Sequence, residues 1–125
     1  MKVYIAGKVS KKSFFKTVHW RDDFCAEISE KSGIRLENLD PTKAIEDYHS
    51  YFSIFSKDCK LIYKADFIIV YLSDDISVGG SQEILIAKYL GKPVIGFAPY
   101  GGKFNGCEKE MDGKIIQNYK DPVCF

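Results

Sequence analysis

Residues 77–97 read SVGGSQEILIAKYLGKPVIGF. A glycine-rich segment leads into an amphipathic run that predicts a helix from about Ser81 to Leu90, which Gly91 ends. The next residues, KPVIGF at 92–97, predict a short apolar strand. A helix followed by such a strand is typical of the repeating unit of a parallel sheet. Glu83 falls in the predicted first turn of this helix, which raises the question of whether its carboxylate serves chemistry.

The same alternation of strand and helix extends over the rest of the chain. It predicts a single domain over residues 1–125, with an α/β fold of the doubly wound, flavodoxin-like or Rossmann-like type. We expect a parallel sheet of about five strands, with helices on both faces of the sheet. The predicted strands are 2–7, 34–41, 66–72 and 92–97, with a last short strand within 113–125, and the other predicted helices are Thr17–Lys31 and Tyr48–Lys64.

Composition and charge exclude several classes of partner. The 125 residues carry a net charge of +1, which offers no basic surface for a nucleic-acid polymer. No apolar run approaches membrane-spanning length and no signal peptide precedes the first strand, so we expect a cytoplasmic protein without a membrane partner. The four cysteines are scattered without a C-x-x-C pair, which argues against a zinc site and a disulfide framework. No dinucleotide-binding G-x-G-x-x-G is present, and we expect neither a cofactor nor a metal.

Three side chains do not fit a purely structural interpretation. Asp58 lies on the apolar face of its predicted helix, where an ionised carboxylate is costly unless it is paired or faces a polar cavity. For Asp58, a structural role as a buried cap or in an ion pair with a lysine and a functional role are equally weighted alternatives. Glu83 suits the positive end of the helix dipole, and taken alone that interpretation is favoured. Tyr4 lies inside the first strand, where a tyrosine is usually part of the core. It is a candidate functional residue only if its hydroxyl reaches the same pocket as Asp58 and Glu83.

The carboxyl ends of the predicted strands carry the most unusual segments of the sequence. Ligands of doubly wound sheets bind at this edge. Gly7 and the basic loop that begins with Lys8 follow the first strand. Gly79 and Gly80 allow a close approach to the backbone, and the N–H groups of a helix start accept an anion.

In order along the chain, VYIAG, KDCKLIYKADFIIVYL, SVGGSQEILIAKYLGKPVIGF and GGKFNG resemble the nucleoside 2-deoxyribosyltransferase-like family, which includes the 2'-deoxynucleoside 5'-monophosphate N-glycosidases. The shared pattern is a strand ending in glycine, then Asp-x-x-x-Ile before a buried strand, then G-x-x-x-E leading into a helix. The resemblance covers nearly the whole chain. It implies an enzyme that cleaves the N-glycosidic bond of a nucleoside or nucleotide, in a homo-oligomer.

The resemblance also assigns roles to individual residues. Glu83 matches the nucleophile that forms a glycosyl-enzyme intermediate, Asp58 the acid that contacts the sugar and assists proton transfer, and Tyr4 the tyrosine beside that nucleophile. Asn105 matches an asparagine that transferases lend to a neighbouring subunit. The substrate-binding residues that we expect are Gly7, Lys8, Ser77, Gly79, Gly80, Ser81 and Asn105.

The sequence leaves the outcome of the reaction open. Ser77 stands where transferases acting on free nucleosides tend to carry aspartate, and with Lys8 it favours a 5'-monophosphate and hydrolysis. Asn105 favours transfer of the deoxyribosyl group to another base. Transfer is our first interpretation and hydrolysis of a nucleotide the second. A non-catalytic nucleotide-binding or sensor domain on the same scaffold is the third.

Overall fold

Four parallel strands form the central sheet of the protein. A computed structural model describes residues 1–7, 19–43, 51–72, 78–97, 109–111 and 114–116. The sheet has the order β2-β1-β3-β4, and all three strand pairs are parallel, as predicted. Its strands are β1 (Lys2–Ala6), β2 (Glu37–Asn38), β3 (Phe67–Tyr71) and β4 (Val94–Phe97).

Three helices cover the two faces of the sheet. Alternate residues of a strand point to opposite faces, and in β1 both sets are buried, as expected for a strand covered on both sides. Val3 and Ile5 belong to the hydrophobic core under α1, whereas Tyr4 and Ala6 belong to the core under α2 and α3. The prediction of a doubly wound α/β fold is therefore confirmed. The helices are α1 (Trp20–Ser32), α2 (Tyr51–Lys64) and α3 (Val78–Tyr89).

Glycines end two of these helices as the sequence predicted. Gly33 follows α1 with a φ of 70° and Gly91 follows α3 with a φ of 67°. Both values lie in the left-handed region that favours glycine, and the Gly33 N–H closes α1 by donating to the carbonyl of Ser29. No helix within the described ranges has both the length and the apolar character needed to cross a bilayer.

The prediction of a fifth strand in the main sheet is wrong for the described part of the chain. The C-terminal strand β6 (Lys114–Ile116) exists, but it pairs antiparallel with β5 (Lys109–Met111) in a separate two-stranded sheet. Only two residues separate β5 from β6. Such a short connection suits an antiparallel hairpin, whereas joining a strand parallel to its predecessor requires a crossover of a dozen or more residues.

Helix α3 begins earlier than predicted, and this changes the position of Glu83. The predicted start was Ser81, but the helix begins at Val78 and contains Gly79 and Gly80. Glu83 lies five residues after that start, and the first turn contains no acidic residue. The interpretation of Glu83 as a first-turn partner of the helix dipole is therefore wrong. The buried Ile84 and Ala87 hold the helix on the sheet, and their burial outweighs the roughly 1 kcal/mol that each glycine costs within a helix.

The two faces of the sheet predict a matched pair of substitutions. Ile68 is 0% exposed in β3, and Ile95 is 54% exposed in the edge strand β4. Ile68→Ala removes side-chain contacts from a closed core and is expected to lower the free energy of unfolding by about 2–5 kcal/mol. Ile95→Ala is expected to lower it by less than about 1 kcal/mol. Urea denaturation followed by circular dichroism measures both, and equal losses would contradict the assigned register.

Candidate active site

A cavity of about 560 Å³ between α2 and α3 brings two carboxyl groups together. Asp58 enters it from α2 and Glu83 from α3. The sequence places these acids 25 positions apart, and the packing of the two helices on one face of the sheet makes them neighbours. The cavity is lined by Phe52, Ile54, Phe55, Asp58, Gly79, Gln82, Glu83 and Ile86.

Tyr4 supplies a hydrogen bond to the site from below. Its hydroxyl donates to Oε1 of Glu83 over 2.7 Å, and its side chain is 0% exposed. Burial, followed by the negative charge of Glu83 and the hydrogen bond to it, raises the pKa of Tyr4 well above its usual range. The phenol therefore stays protonated and acts as a fixed donor to the carboxylate.

Glu83 is a half-buried carboxyl group with a strongly raised pKa. The pKa of Glu83 is raised to about 7, mainly by burial and in part by the negative charge of Asp58. The hydrogen bond from Tyr4 and the positive charge of Arg21 act in the opposite direction, because both favour the anion. The group therefore changes its charge near neutral pH.

Among the described residues, Asp58 has no structural partner that would explain its position. Burial raises the pKa of Asp58, and the charge of Lys57 opposes that shift. Within the described residues we find neither a hydrogen bond nor an ion pair to the Asp58 carboxylate. Lys57 instead donates from Nζ to the carbonyl of Pro41 over 3.0 Å. Among the described residues, Asp58 therefore forms no buried ion pair with a lysine. It lines the cavity instead.

The apolar face of α2 differs from its prediction in the first two turns. Its sequence pattern predicted a buried face through Ile54 and Phe55, yet these side chains are 37% and 44% exposed. Ile62 and Ala65, at the other end of the pattern, are buried. The helix packs on the sheet only in its last turns, so its first turns present apolar groups to the cavity instead. The pattern identified an apolar face but not what that face contacts.

The remaining predicted binding residues are distributed unevenly around the cavity. Gly79 lines it. Gly80 and Ser81 lie in α3 but do not line it. Gly7 follows β1, and its carbonyl accepts a hydrogen bond from Nη2 of Arg21 over 2.6 Å. Lys8, Ser77 and Asn105 lie outside the described residues.

Close packing explains the glycine at position 7. A Cβ added there would lie 3.2 Å from the Trp20 ring and 3.3 Å from Cβ of Tyr71. Gly7 thus lets α1 approach the end of β1, which is a packing role next to the site.

Sequence reasoning missed two residues that line the cavity, and helical spacing could have identified one of them. Phe52 and Gln82 both line the cavity. Phe52 precedes Asp58 by six residues and Phe55 precedes it by three, so the three side chains share one side of α2. Phe52 is 79% exposed, which distinguishes it from aromatic residues of the core. This exposure could be recognised only from the structure.

The described residues hold no group of three or more histidine, cysteine, aspartate or glutamate side chains placed to bind a metal ion. Cys25 is buried and Cys59 is half-buried, and both are free thiols. Burial raises the pKa of Cys25 to about 11, which keeps this thiol protonated and unreactive at neutral pH.

Comparison with solved structures identifies the fold. A 2-deoxyribosyltransferase from Leishmania mexicana superimposes with a TM-score of 0.60 at 23% identity, over 92% of this chain and 77% of that one. A 2-deoxyribosyltransferase from Bacillus psychrosaccharolyticus, described as a biocatalyst for the synthesis of nucleosides, gives a TM-score of 0.58 at 22% identity. That match covers 84% of this chain and 77% of the other. The chain has the deoxyribosyltransferase fold.

Sequence comparison alone adds nothing to this identification, because no protein-family model and no curated protein sequence matches the chain. The fold found in the two solved structures is the one that the resemblance implied.

The hydrogen bond between Tyr4 and Glu83 generates a prediction that needs no substrate. Tyr4→Phe removes the donor that favours the anionic carboxylate, so the pKa of Glu83 is expected to rise above its value of about 7. Nuclear magnetic resonance of ¹³C-labelled glutamate side chains during a pH titration measures this shift, with Glu83→Gln identifying the resonance. The control is Tyr63→Phe, at a tyrosine that is 68% exposed. A pKa that falls or stays constant in Tyr4→Phe would contradict the assigned hydrogen bond.

Proposed function

We propose that this protein is an enzyme that cleaves the N-glycosidic bond of a 2'-deoxynucleoside, or of its 5'-monophosphate, and transfers the deoxyribosyl group to another base. The observation that carries the proposal is the cavity in which Asp58 and Glu83 meet, with Tyr4 donating to Glu83. The deoxyribosyltransferase fold supports the proposal. The two carboxyl groups and the tyrosine support it as well, because they are the residues to which the resemblance assigned catalysis.

In the first step an oxygen of the Glu83 carboxylate attacks C1' of the sugar. The C1'–N bond breaks, its electron pair passes to the base, and a proton from Asp58 neutralises the departing nitrogen. The transition state resembles an oxocarbenium ion, which an anionic carboxylate stabilises. In the second step a nitrogen of the acceptor base attacks C1', the bond to Glu83 breaks, and the acceptor's proton returns to Asp58.

The two carboxyl groups must differ in protonation for this chemistry. Burial raises both pKa values, and the charge of Asp58 raises the pKa of Glu83. The pair therefore titrates as a coupled unit, in which one proton and one negative charge coexist near neutral pH. The productive form has the charge on Glu83 and the proton on Asp58, whereas the raised pKa of Glu83 favours the reverse distribution. Tyr4 reduces that bias, because its hydrogen bond stabilises the Glu83 anion.

The walls of the cavity suit a flat heterocycle beside the two acids. Phe52, Ile54 and Phe55 present apolar groups on the α2 side, and the exposed rings of the two phenylalanines offer faces for stacking. Gln82 adds an amide that both donates and accepts hydrogen bonds. Leu85, also in α3, does not line this cavity.

The finer assignments rest on the resemblance alone. Ser77 and Lys8 are proposed to contact a 5'-phosphate, and Asn105 is proposed to complete the site of a neighbouring subunit. The reaction needs no cofactor or metal. Hydrolysis, with water as the acceptor, follows the same first step. The expected cytoplasmic location stays a prediction.

Chromatography of reaction mixtures tests the proposal. We expect the protein to convert a 2'-deoxynucleoside, or its 5'-monophosphate, and an acceptor base into a new nucleoside or nucleotide. Glu83→Ala is expected to reduce the rate by at least about 10³-fold, because it removes the nucleophile. Asp58→Asn is expected to reduce it by about 10²-fold or more, because it removes the proton donor. Lys88→Met, at an exposed position of α3, is the control for changes in that helix.

Each outcome of that assay has a distinct meaning. Free base released from a 5'-monophosphate without an acceptor would identify a hydrolase. Activity surviving in Glu83→Ala, or no conversion of any deoxynucleoside or monophosphate, would refute the proposed function. On the basic side, kcat/KM is expected to fall as the pH rises through about 7, since the pair then loses the one proton that Asp58 must supply. A profile that stays level from about pH 5 to about pH 9 would refute the assignment of the pair.

The proposed enzyme is a homo-oligomer, as the resemblance implies. A second groove of about 670 Å³, also between α2 and α3, supports association with another copy. It contains Tyr63, Leu85 and Tyr89, whose side chains are 68%, 68% and 90% exposed. A contiguous apolar surface of this kind marks an interaction site. Ile86 lines both the groove and the cavity, so a copy seated here would lie next to the candidate site.

Light scattering coupled to size-exclusion chromatography tests this association. The wild-type mass is expected to be at least twice 14.2 kDa. Tyr89→Glu is expected to lower that mass, because it places a charge on the apolar surface. The control is Ile34→Glu, at a residue that is 48% exposed beside the end of α1. A wild-type monomer, or an unchanged mass in Tyr89→Glu, would contradict this interface.

A further inference from the structure

Arg21 is a buried cation for which the proposed chemistry has no direct use. It lies next to the start of α1 and is 1% exposed. Removing a guanidinium from water is costly unless it gains hydrogen bonds and compensating charges. Burial lowers the pKa of Arg21, and the negative charges of Asp40 and Glu83 act in the opposite direction. The groups that Arg21 contacts explain why the fold keeps this cation buried.

The contacts of Arg21 converge on the carboxyl end of β1. Nε donates to the carbonyl of Ile5 over 3.0 Å, and Nη2 donates to the carbonyl of Gly7 over 2.6 Å. The guanidinium carbon lies 4.7 Å from the centre of the Trp20 ring, which supports the cation from another side. Two carbonyl groups two residues apart are thus held by one rigid, planar group.

The strand end that Arg21 holds also carries the partner of Glu83. Tyr4 directly precedes Ile5, and because successive side chains alternate, it points to the α2 and α3 face while Ile5 faces α1. The hydroxyl of Tyr4 then reaches Oε1 of Glu83. A shift of the Ile5 carbonyl would therefore be transmitted through one peptide unit to that hydroxyl.

Arg21 is also the cation whose charge reaches the candidate nucleophile. Tyr4 of β1, Asp58 of α2 and Arg21 of α1 are the groups that act on the ionisation of Glu83 among the described residues. Lys57, next to Asp58, acts on Asp58.

The negative charge of Asp40 acts on Arg21, although the two side chains make no hydrogen bond within the described residues. Nη1 of Arg21 and Oδ2 of Asp40 are both buried, and neither has a hydrogen-bond partner within the described part of the chain. Oδ1 of Asp40 instead accepts from the backbone N–H and the hydroxyl of Thr42. Asp40 therefore does not fix the guanidinium through a bidentate pair, and the hydrogen bonds that hold it go to the end of β1.

We propose that Arg21 is a positioning residue of the candidate site, which holds the end of β1 so that the hydroxyl of Tyr4 meets Glu83. The catalytic consequence of this role rests on the proposed function, but the positioning of Tyr4 does not. A lysine would supply the charge but could not hold both carbonyls with one planar group. A neutral side chain would supply neither.

The pKa of Glu83 tests the proposal directly in the intact protein without any substrate. The ¹³C titration of Glu83 is compared between wild type and two neutral variants, Arg21→Met and Arg21→Gln. Methionine suits a buried apolar site and glutamine keeps an N–H donor, so the two variants differ in how they could disturb folding. Both are expected to raise the pKa of Glu83 by at least about half a pH unit. Arg21→Lys keeps the charge but cannot hold both carbonyls, so it too is expected to raise the pKa of Glu83.

The control is Lys31→Met, which removes the same charge from the exposed last turn of α1. It is expected to leave the pKa of Glu83 unchanged. An unchanged pKa of Glu83 in the folded neutral variants would overturn the proposal, and so would a wild-type pKa in Arg21→Lys, because charge alone would then account for the shift. Thermal unfolding curves recorded alongside identify loss of stability, which a purely structural role would produce without any shift in pKa.

Kinetics separate this proposal from the proposed function. With an active wild type, Arg21→Met is expected to move the limb of kcat/KM near pH 7 to higher pH by the shift measured for Glu83 and to lower kcat by about 10-fold or more. A lower kcat with an unmoved limb would overturn the positioning role. An inactive wild type in which the pKa of Glu83 still responds to Arg21 would refute the proposed function and leave the positioning role standing.

Discussion

The hydrogen bond from Tyr4 to Glu83 connects residues 79 positions apart, and the rest of the candidate site depends on it. Its donor sits in the central strand β1, between β2 and β3 in the sheet. Its acceptor sits on α3, which Ile84 and Ala87 hold on the same face. Neither group has freedom to move without disturbing the core. The short contact is thus a consequence of the parallel register of β1 and β3 and of the packing of one helix.

The same burial that fixes this contact makes the site costly. The carboxyl group of Glu83 is raised to a pKa of about 7, which means that folding favours its neutral form. A group with a raised folded pKa makes its full relative contribution to stability at low pH. For Glu83 that contribution is lost as the pH rises from about 4.5 to above 7. At neutral pH this contribution to the free energy of unfolding is therefore partly lost. Tyr4 and Arg21 reduce the loss, because both favour the Glu83 anion. Such a balance is typical of functional sites, where stability is given up for a reactive group.

Much of the fold was predictable because its determinants are local. The apolar run around β3, the glycines Gly33 and Gly91 and the alternation of elements predicted a doubly wound parallel sheet, which the strand pairing confirms. The errors were also local in origin. The start of α3 was placed too late, since Gly79 and Gly80 suggested a loop. The last strand was assigned to the wrong sheet, because apolar β-branched residues do not specify which edge they pair with.

For the candidate site, the sequence by itself determined which residue types were unusual for their positions. An acid on an apolar helix face at Asp58, and a glutamate after two glycines at Glu83, can be recognised from spacing and from the cost of burying charge. Only the tertiary structure decided that both line one cavity, that Tyr4 donates to Glu83, and that Arg21 holds the end of β1. Phe52 and Phe55 illustrate the same limit, since periodicity marks an apolar face but not whether that face meets the sheet or an open cavity. The physical reason is that spacing reports the shape of one element, whereas a site is made by the distances between elements.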